Sequence, residues 1–543
     1  MIEIGLNKVE KSFGNKKVLK NINFEVKTNE KVALIGQNGC GKTTLLKLIS
    51  KEDNLTSGEI TIRKDATIAV LEQKPKVEWN NLIVKDILYS SFEKINELEK
   101  KLKIEEEKLS TATDKDLEKV IKRYTNLQEE FISLGGYEVN SKVDKIIAGF
   151  KVENLIDKKY ISLSGGEKTI INLMVILLQE PDIMLLDEPT NHLDIDTLEW
   201  LENFLKNCKK TILIVSHDRY FLDKVVTKTI LIDNGESEIF NGNYSYYLEE
   251  NENRIMKEFN DYKNQQKQID AMKNSIKRLR EYGKLAYPCG EKFFRRAASI
   301  EKRLEKIEIL DKPNEKKTIP LNFEFDKRSG NDVIELNKFN YSIGDKDLFK
   351  NTNLFIKYQE RVCLMGKNGS GKSTLIKEIM KGNPNIKIGS NIEIGYIPQE
   401  IIFEDENITV LEEAHKYFNG PEDNLRSALY KFLFYGEGVF VRLNKLSGGE
   451  RIRLKMFCLM QKKNNLLILD EPTNHIDINT KEILEEALNN YNGTILLISH
   501  DRYFINKVAT RIVYLDNKKL TSYVGNYDDY KKTLIRQNKI STN

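Results

Sequence analysis

Apolar positions between Asn80 and Val139 fall on helical faces. Ile95, Leu98, Leu102 and Leu109 share one face, and Leu117, Val120, Tyr124, Leu127 and Phe131 share another after the polar turn STATDKD. Two stripes of this kind predict an antiparallel helical hairpin with charged outer surfaces. A longer pair follows. Ile255, Phe259, Tyr262, Ile269, Met272, Ile276 and Leu279 step by threes, fours and one seven, and Phe294, Ala297, Ile300, Leu304 and Ile307 answer them on the return. A helical Tyr244–Gly283 would be about 60 Å long at 1.5 Å per residue. GKLAYPCG supplies the glycines and proline of a reversal. Outside these segments, short apolar runs such as KVALIG and RVCLMG read as buried strands, each followed by a helical pattern, so the fold class is α/β.

The chain repeats itself. GQNGCGKTTLLKLI at Gly36 and GKNGSGKSTLIKEI at Gly366 lie 330 residues apart. LSGGE at Leu163 and Leu446, LLDEPTNHLDI and ILDEPTNHIDI at Leu185 and Ile468, and VSHDRYF and ISHDRYF at Val215 and Ile498 all keep a spacing of 283. Each half is therefore the same domain, and the first half holds 47 extra residues, which include the shorter hairpin. The predicted division is a first domain over 1–243 with its arm at about 85–135, a hairpin linker over 244–320 with its tip at about 281–296, and a second domain over 321–543.

The composition limits the class. A chain of 543 residues with 40% hydrophobic and 31% charged residues suits a soluble multidomain protein with much exposed helix. No run of eighteen apolar residues predicts a membrane span, and MIEIGLNKVEKSFG lacks the apolar core of a signal peptide. Five scattered cysteines with no CxxC pair fit a reduced cytoplasm. Net charge is only +4, so the placement of charge matters more than its sum.

The chemistry lies in the repeated motifs. GxxxxGK[ST] between an apolar strand and a helix is the setting in which backbone N–H groups and a helix N-terminus cradle phosphates. Gly36, Asn38, Gly39, Gly41 and Thr44 frame one loop, and Gly366, Asn368, Gly369, Gly371 and Thr374 frame the other. Lys42 and Lys372 are assigned to the β- and γ-phosphates of ATP, and Thr43 and Ser373 to Mg²⁺. Asp187 and Asp470 end apolar strands and would help hold Mg²⁺, while Glu188 and Glu471 would polarise the attacking water. Four of the five histidines fall inside duplicated motifs, which argues against ordinary core roles for His217 and His500.

LSGGE together with a phosphate loop and a DE strand resembles the ATP-binding-cassette superfamily. Tandem cassettes, an arm in the first, a charged helical connector and DEPTNHLD resemble its ABC-F members. The likeness covers nearly the whole chain. It implies a monomer in which two cassettes sandwich two ATP molecules head to tail. One would lie between Lys42 and Ser447, Gly448, Gly449 and Glu450, the other between Lys372 and Ser164, Gly165, Gly166 and Glu167. It further implies Gln73 and Gln399 as Q-loops touching Mg²⁺, Asp194 and Asp477 as D-loops, and His217 and His500 as switch histidines on the γ-phosphate. The adenine-stacking aromatic matches Phe13 in the first half, whereas the second has Ile343 there, with Tyr341 two residues earlier. Either Tyr341 stacks instead or that site holds adenine less well.

From Ala271 to Arg303 ten Lys or Arg face three Glu, a surplus of +7, with Tyr282, Tyr287, Phe293 and Phe294 interleaved. Cations neutralise phosphates and rings stack on exposed bases, although a charged helix face is also what solvent alone would select. The ABC-F likeness implies the ribosome as partner. The connector would enter the tRNA exit site of the large subunit, among rRNA, and point at P-site tRNA and the peptidyl-transferase centre. Arg278, Lys284, Arg295 and Arg296 are the positional candidates for RNA contact. The resulting expectation is a cytoplasmic ATPase acting on the ribosome, either protecting it from antibiotics or relieving stalled translation. A transporter motor with a separate membrane partner and a DNA-repair ATPase are the competing classes, and the long connector and short C-terminal remainder argue against them.

Overall fold

The computed structural model describes residues 1–543 apart from 72–76, 112–113, 286–289, 309, 311–327, 345, 475 and 542–543. Gln73, the Tyr287 turn and the second DEPTNH histidine, His475, thus lie outside the described residues. The chain forms two compact units, Met1–Asn243 with Pro320–Asn543, and Tyr244–Ile319.

In the first half, β1 (Ile2–Phe13), β2 (Lys16–Lys27), β3 (Lys31–Gly36), β4 (Ser57–Ile62), β5 (Ile68–Leu71), β6 (Ile183–Asp187), β7 (Thr211–Val215), β8 (Lys228–Asp233) and β9 (Glu236–Phe240) make one sheet. Its order is β4-β1-β2-β9-β8-β3-β7-β6-β5. The strands β5, β6, β7, β3 and β8 run parallel. Every residue of β6 and β7 is buried, which is why IMLLD and TILIV are continuous apolar runs: helices cover both faces. β1 pairs antiparallel with β2 and β4.

The second half contains β10 (Asp332–Ile343), β11 (Lys346–Lys357), β12 (Arg361–Gly366), β13 (Ile386–Ile388), β14 (Ile394–Ile397), β15 (Leu466–Asp470), β16 (Thr494–Ile498), β17 (Arg511–Asp516) and β18 (Lys519–Val524). Here the same plan is divided into a β14-β15-β16-β12-β17-β18 sheet and an antiparallel β11-β10-β13 sheet. In both halves the parallel strands deliver their motifs at their C-terminal ends, where α/β sheets bind ligands. β3 and β12 lead into the phosphate loops, β6 and β15 end at the acidic pairs, and β7 and β16 precede the switch histidines.

The arm forms as its pattern predicts, from helices Glu93–Thr111 and Asp114–Ser133. Leu98, Val120 and Phe131 are buried along its seam. The separate unit is also a hairpin, with a 42-residue helix Tyr244–Leu285 and a shorter return, Glu291–Leu304. Ile269, Ile276 and Ala297 are buried in it. A side chain at Gly290 would meet the Gly283 carbonyl at 2.1 Å, so glycine is required there, while one at Gly283 would meet the Phe294 ring at 2.8 Å and displace it. Arg280 bridges to Glu301 at 2.6 Å, and Gln265 accepts from Leu310 N–H and donates to the Glu308 carbonyl.

Within the first unit, the two halves meet through a contact repeated in both directions. Arg219 pairs with Glu485 and stacks on Tyr503 at 3.9 Å. Arg502 pairs with Glu202, approaches Asp218 at 3.6 Å and stacks on Tyr220 at 4.4 Å. Both guanidiniums are 2% exposed or less, so water screens neither pair. Burying such charges is tolerable only with close partners, which the carboxylates and the aromatic faces supply. Glu199 of the first half adds bonds from Tyr527 and Lys531 of the second, at 2.7 and 2.8 Å. Ile195 of the first half joins the hydrophobic core of the second.

Candidate functional site

The phosphate loops turn on glycine. Gly39 and Gly41 have φ of 79° and 103°, and Gly369 and Gly371 have 70° and 108°, the left-handed region that other residues avoid. Gly41 and Gly371 cap the helices Lys42–Ile49 and Lys372–Met380. Nothing lies within 4 Å of a side chain built at Gly39 or Gly369, so the loop is open where an anion would approach the helix end. Lys42 Nζ donates to the carbonyls of Gly36 and Gln37 at 2.8 and 3.0 Å. Lys372 Nζ repeats this with Gly366 and Lys367 at 2.8 and 3.1 Å. Each ammonium is thus mostly buried and folded over its own loop, bonded to neutral carbonyls. A phosphate is the complementary charge.

Thr43 Oγ1 donates to Asp187 at 2.8 Å, and Ser373 Oγ to Asp470 at 3.0 Å. A hydroxyl beside a carboxylate is an all-oxygen donor set that suits Mg²⁺. Burial raises both aspartate pKa values, and the hydroxyl bonds act against that rise. Glu188 and Glu471 follow their strands at φ of 51° and 50°, a costly turn for a residue with a side chain. Their N–H groups still donate to the Val215 and Ile498 carbonyls, at 2.8 and 2.9 Å, while the carboxyls swing toward the switch loops. His217 N–H donates to Glu188 at 3.3 Å, and His500 N–H donates to Glu471 at 3.3 Å. Burial pushes the Glu188 carboxyl to about 8 and Glu471 to about 7. It drops both imidazoles to about 3. The His–Glu approaches of 3.7 and 3.4 Å therefore involve neutral imidazoles and are not imidazolium–carboxylate ion pairs. Oε1 of each glutamate and Nδ1 of each histidine are buried with no hydrogen-bond partner. Such groups are costly unless a ligand or water satisfies them, and nucleotide with its attacking water fits that need.

Lys42, Thr43, Asp187, Glu188 and His217 share one cleft of about 1460 Å³ between the halves with Lys372, Ser373, Glu471 and His500. Ser164, Gly166 and Glu167 of the first half line it together with Lys367, Asn368, Gly369, Gly371 and Lys372 of the second. Asn368 Nδ2 donates to the His192 carbonyl of the first half at 3.0 Å, while Asn38 Oδ1 meets His217 Nε2 at 3.1 Å. Ser447, Gly448, Gly449 and Glu450 do not line the described cleft. Both serines cap their helices in reciprocal boxes with Glu167 and Glu450. Asp194 and Asp477 likewise cap helices, accepting from Thr197 and Thr480 N–H at 3.0 and 2.8 Å. Thr44, Thr374 and Gln399 line the cleft.

Phe13 and Ile343 line the same cleft. Tyr341 does not. Its hydroxyl donates to Glu378 at 3.0 Å and its ring stacks on Phe339 at 6.1 Å. The second site thus offers isoleucine where the first offers a ring. A lost base stack is worth about 1–3 kcal/mol, roughly tenfold in affinity. ATP is expected to bind about tenfold more weakly at the second site than at the first, and Ile343→Phe to narrow the gap. Titrating single-site variants with labelled nucleotide checks this, and equal affinities would sink it.

Sequence reading missed the partners across the halves. Arg219 and Tyr220 were visible in SHDRYF, but nothing local names Glu485 or Tyr503 as their mates. The available signal was that Glu202 and Glu485 recur at the same spacing of 283.

Two family models match the chain. One, described as ABC transporter, covers residues 19–191 and 349–474, and an extension model of the same description covers 230–323. The putative ATP-binding protein YdiF of Bacillus subtilis is 40% identical, with 98% of this chain and 83% of that protein aligned. ABC transporter F family member 5 of Arabidopsis thaliana is 35% identical, over 97% and 77%. The energy-dependent translational throttle protein EttA of Escherichia coli is 32% identical, over 95% and 93%. Among solved structures, an RNase-L inhibitor superposes with a TM-score of 0.64 over 98% of this chain and 92% of its own, at 16% identity, a likeness of fold.

Proposed function

The chain belongs to the ABC-F family of ATP-binding-cassette ATPases, and on that premise we propose that it is a ribosome-associated translation factor whose ATP cycle times its stay on the large subunit. One observation carries the reading: the far end of the Tyr244–Leu304 hairpin is basic and aromatic, with Arg278, Lys284, Arg295 and Arg296 all exposed. Tyr282 and Phe294 are half exposed beside them, and among the described residues Arg295 pairs with the exposed Glu291, at 2.9 Å. Such a surface suits RNA phosphates and unpaired bases. The relative EttA, whose name states a role in translation, supports the choice of partner. No described helix is long and apolar enough to cross a membrane.

In this reading Lys42 and Lys372 leave their loop carbonyls for the phosphates. Glu188 and Glu471 orient water, and the switch histidines contact the terminal phosphate. Thr43 with Asp187, and Ser373 with Asp470, would hold Mg²⁺, which would supply neutralisation of the phosphate charge. Gln399 and Gln73 complete its surroundings by family likeness. Two ATP molecules join the cassettes, and hydrolysis releases them, so the nucleotide favours one of two states. The proposed seat is the tRNA exit region, with the hairpin tip toward P-site tRNA, in the cytoplasm, for a monomeric chain. The finer form of the reading is protection of the peptidyl-transferase region from antibiotics.

Co-sedimentation with ribosomes tests the proposal. The hydrolysis-deficient double Glu→Gln protein is expected to pellet with ribosomes when ATP is present and to wash off as salt rises. Arg295→Glu with Arg296→Glu is expected to weaken binding by about tenfold or more, because each lost phosphate contact is multiplied by charge reversal. Pelleting that ignores ATP, salt and these reversals refutes the reading. Drug susceptibility with and without expression separates protection from a role in unperturbed translation.

A further inference from the structure

Lys481 stands in the helix Ile478–Asn489, four residues beyond Asp477, and is 5% exposed. Its ammonium donates to the main-chain carbonyl of His217 at 3.0 Å and to the Asp501 carboxylate at 2.7 Å. The first bond crosses from the second cassette to the first. The second reaches the residue that follows His500. One buried cation therefore ties the loops of both switch histidines together. Asp501 is itself fixed, because it accepts from Phe504 N–H at 3.0 Å and so caps the helix Arg502–Val508.

Among the described residues the tie has no counterpart. The related position, 283 residues earlier, is Leu198, 2% exposed, which has no ammonium to offer the His500 loop. The two cassettes therefore hold their partner's switch loops differently. On the His217 side the consequence reaches the chemistry, because the N–H of His217 donates to Glu188 at 3.3 Å. A shift of the His217 backbone moves that bond too. The charge of Lys481 also acts on both Glu188 and His217.

We propose that Lys481 is a positioning residue that couples the two ATP sites, setting the His217 loop of the Lys42 site from the opposite cassette. Hydrolysis at the Lys42 site then depends on where the second cassette stands, while the Lys372 site lacks the reciprocal tie. The inference rests on the reading that Glu188 and Glu471 each serve their own site.

The test uses the full chain in two backgrounds, Glu471→Gln, in which only the Lys42 site turns over, and Glu188→Gln, in which only the Lys372 site does. Lys481→Leu is added to each. A buried hydrogen bond from a charged group supports an effect of roughly tenfold. Turnover at the Lys42 site is expected to fall by about that factor with KM changed less than twofold, and turnover at the Lys372 site to change less than twofold. Lys481→Arg keeps the cation and is expected to restore most of the loss. Equal loss at both sites, or no loss at either, overturns the proposal, as does failure of Lys481→Arg to recover more than Lys481→Leu. Unchanged total turnover in both parent backgrounds shows instead that the assignment of the glutamates is wrong, and the proposal then falls with it. Thermal midpoints of the Lys481 variants report folding separately.

Discussion

Replacing Glu188 and Glu471 together by glutamine is expected to cut ATP turnover by at least about a hundredfold while leaving ATP binding within a few-fold. The two carboxyls sit where a water-orienting group is needed, each at the end of a parallel strand, beside a switch histidine and one residue from an aspartate that faces the phosphate-loop hydroxyl. Glutamine keeps the size and the acceptor oxygen for the His217 and His500 N–H groups, so the local fold survives. It cannot take a proton. Phosphate release at saturating ATP measures the first expectation and labelled-nucleotide retention the second, and undiminished release by the double variant would refute it. A second readout follows from burial. In protein free of nucleotide and metal, Glu188 and Glu471 bind protons up to about 8 and about 7, above the ordinary 4.5 of the unfolded chain. The folded state then holds more protons than the unfolded one across that window. Stability contributed by the protonated carboxyls is complete below about 4.5 and is lost as pH rises through about 7 to 8. The double substitution removes that loss, which thermal midpoints between pH 6 and 9 would reveal as a flatter profile.

Arg502→Ala is expected to be among the most damaging single changes in the cassette interface, costing about 3–5 kcal/mol. The guanidinium is fully buried, pairs with Glu202, lies near Asp218 and covers the Tyr220 ring. Truncation leaves Glu202 buried in a site 3% exposed, with Lys224 at 3.3 Å as its remaining cation. The cost is the stranded carboxylate more than the lost pair. Replacing both partners, Arg502→Met with Glu202→Met, is therefore expected to cost much less than either single change. Urea denaturation of the single and double variants forms the cycle that decides it. A cost below about 1 kcal/mol for Arg502→Ala would show that solvent reaches the pair after all.

The motif that carries Glu188 was legible because a strand end, a phosphate loop and a histidine recur twice at set spacings. The arm and the hairpin were legible because Leu98, Val120 and Phe131, or Ile269 and Ile276, keep helical periods. The role of Arg502 was not, because its partner stands 300 residues away. The repeat spacing marks Glu202 and Glu485 as equivalent positions but does not show that each docks on the other cassette. Tyr341 shows a different limit. Its strand position alone left its direction open, and the side chain packs on Phe339 and bonds Glu378 instead of lining the cleft. The order of strands in the second half was also hidden, since nothing in the residues distinguishes one nine-stranded sheet from a divided pair.

The reciprocal Arg–Glu–Tyr contact has a bearing on ancestry. Arg219, Tyr220 and Glu202 of one cassette correspond, one for one, to Arg502, Tyr503 and Glu485 of the other. A surface that presents both halves of its own complement is isologous, the kind that builds twofold homodimers. A single ancestral cassette bearing these three residues would have paired with its own copy through two identical contacts. Within one chain each copy can change alone, and Leu198 against Lys481, and Phe13 against Ile343, are positions where the two copies differ. The joint kept its symmetry and so did the catalytic groups, while these two differences leave the two sites with different neighbours.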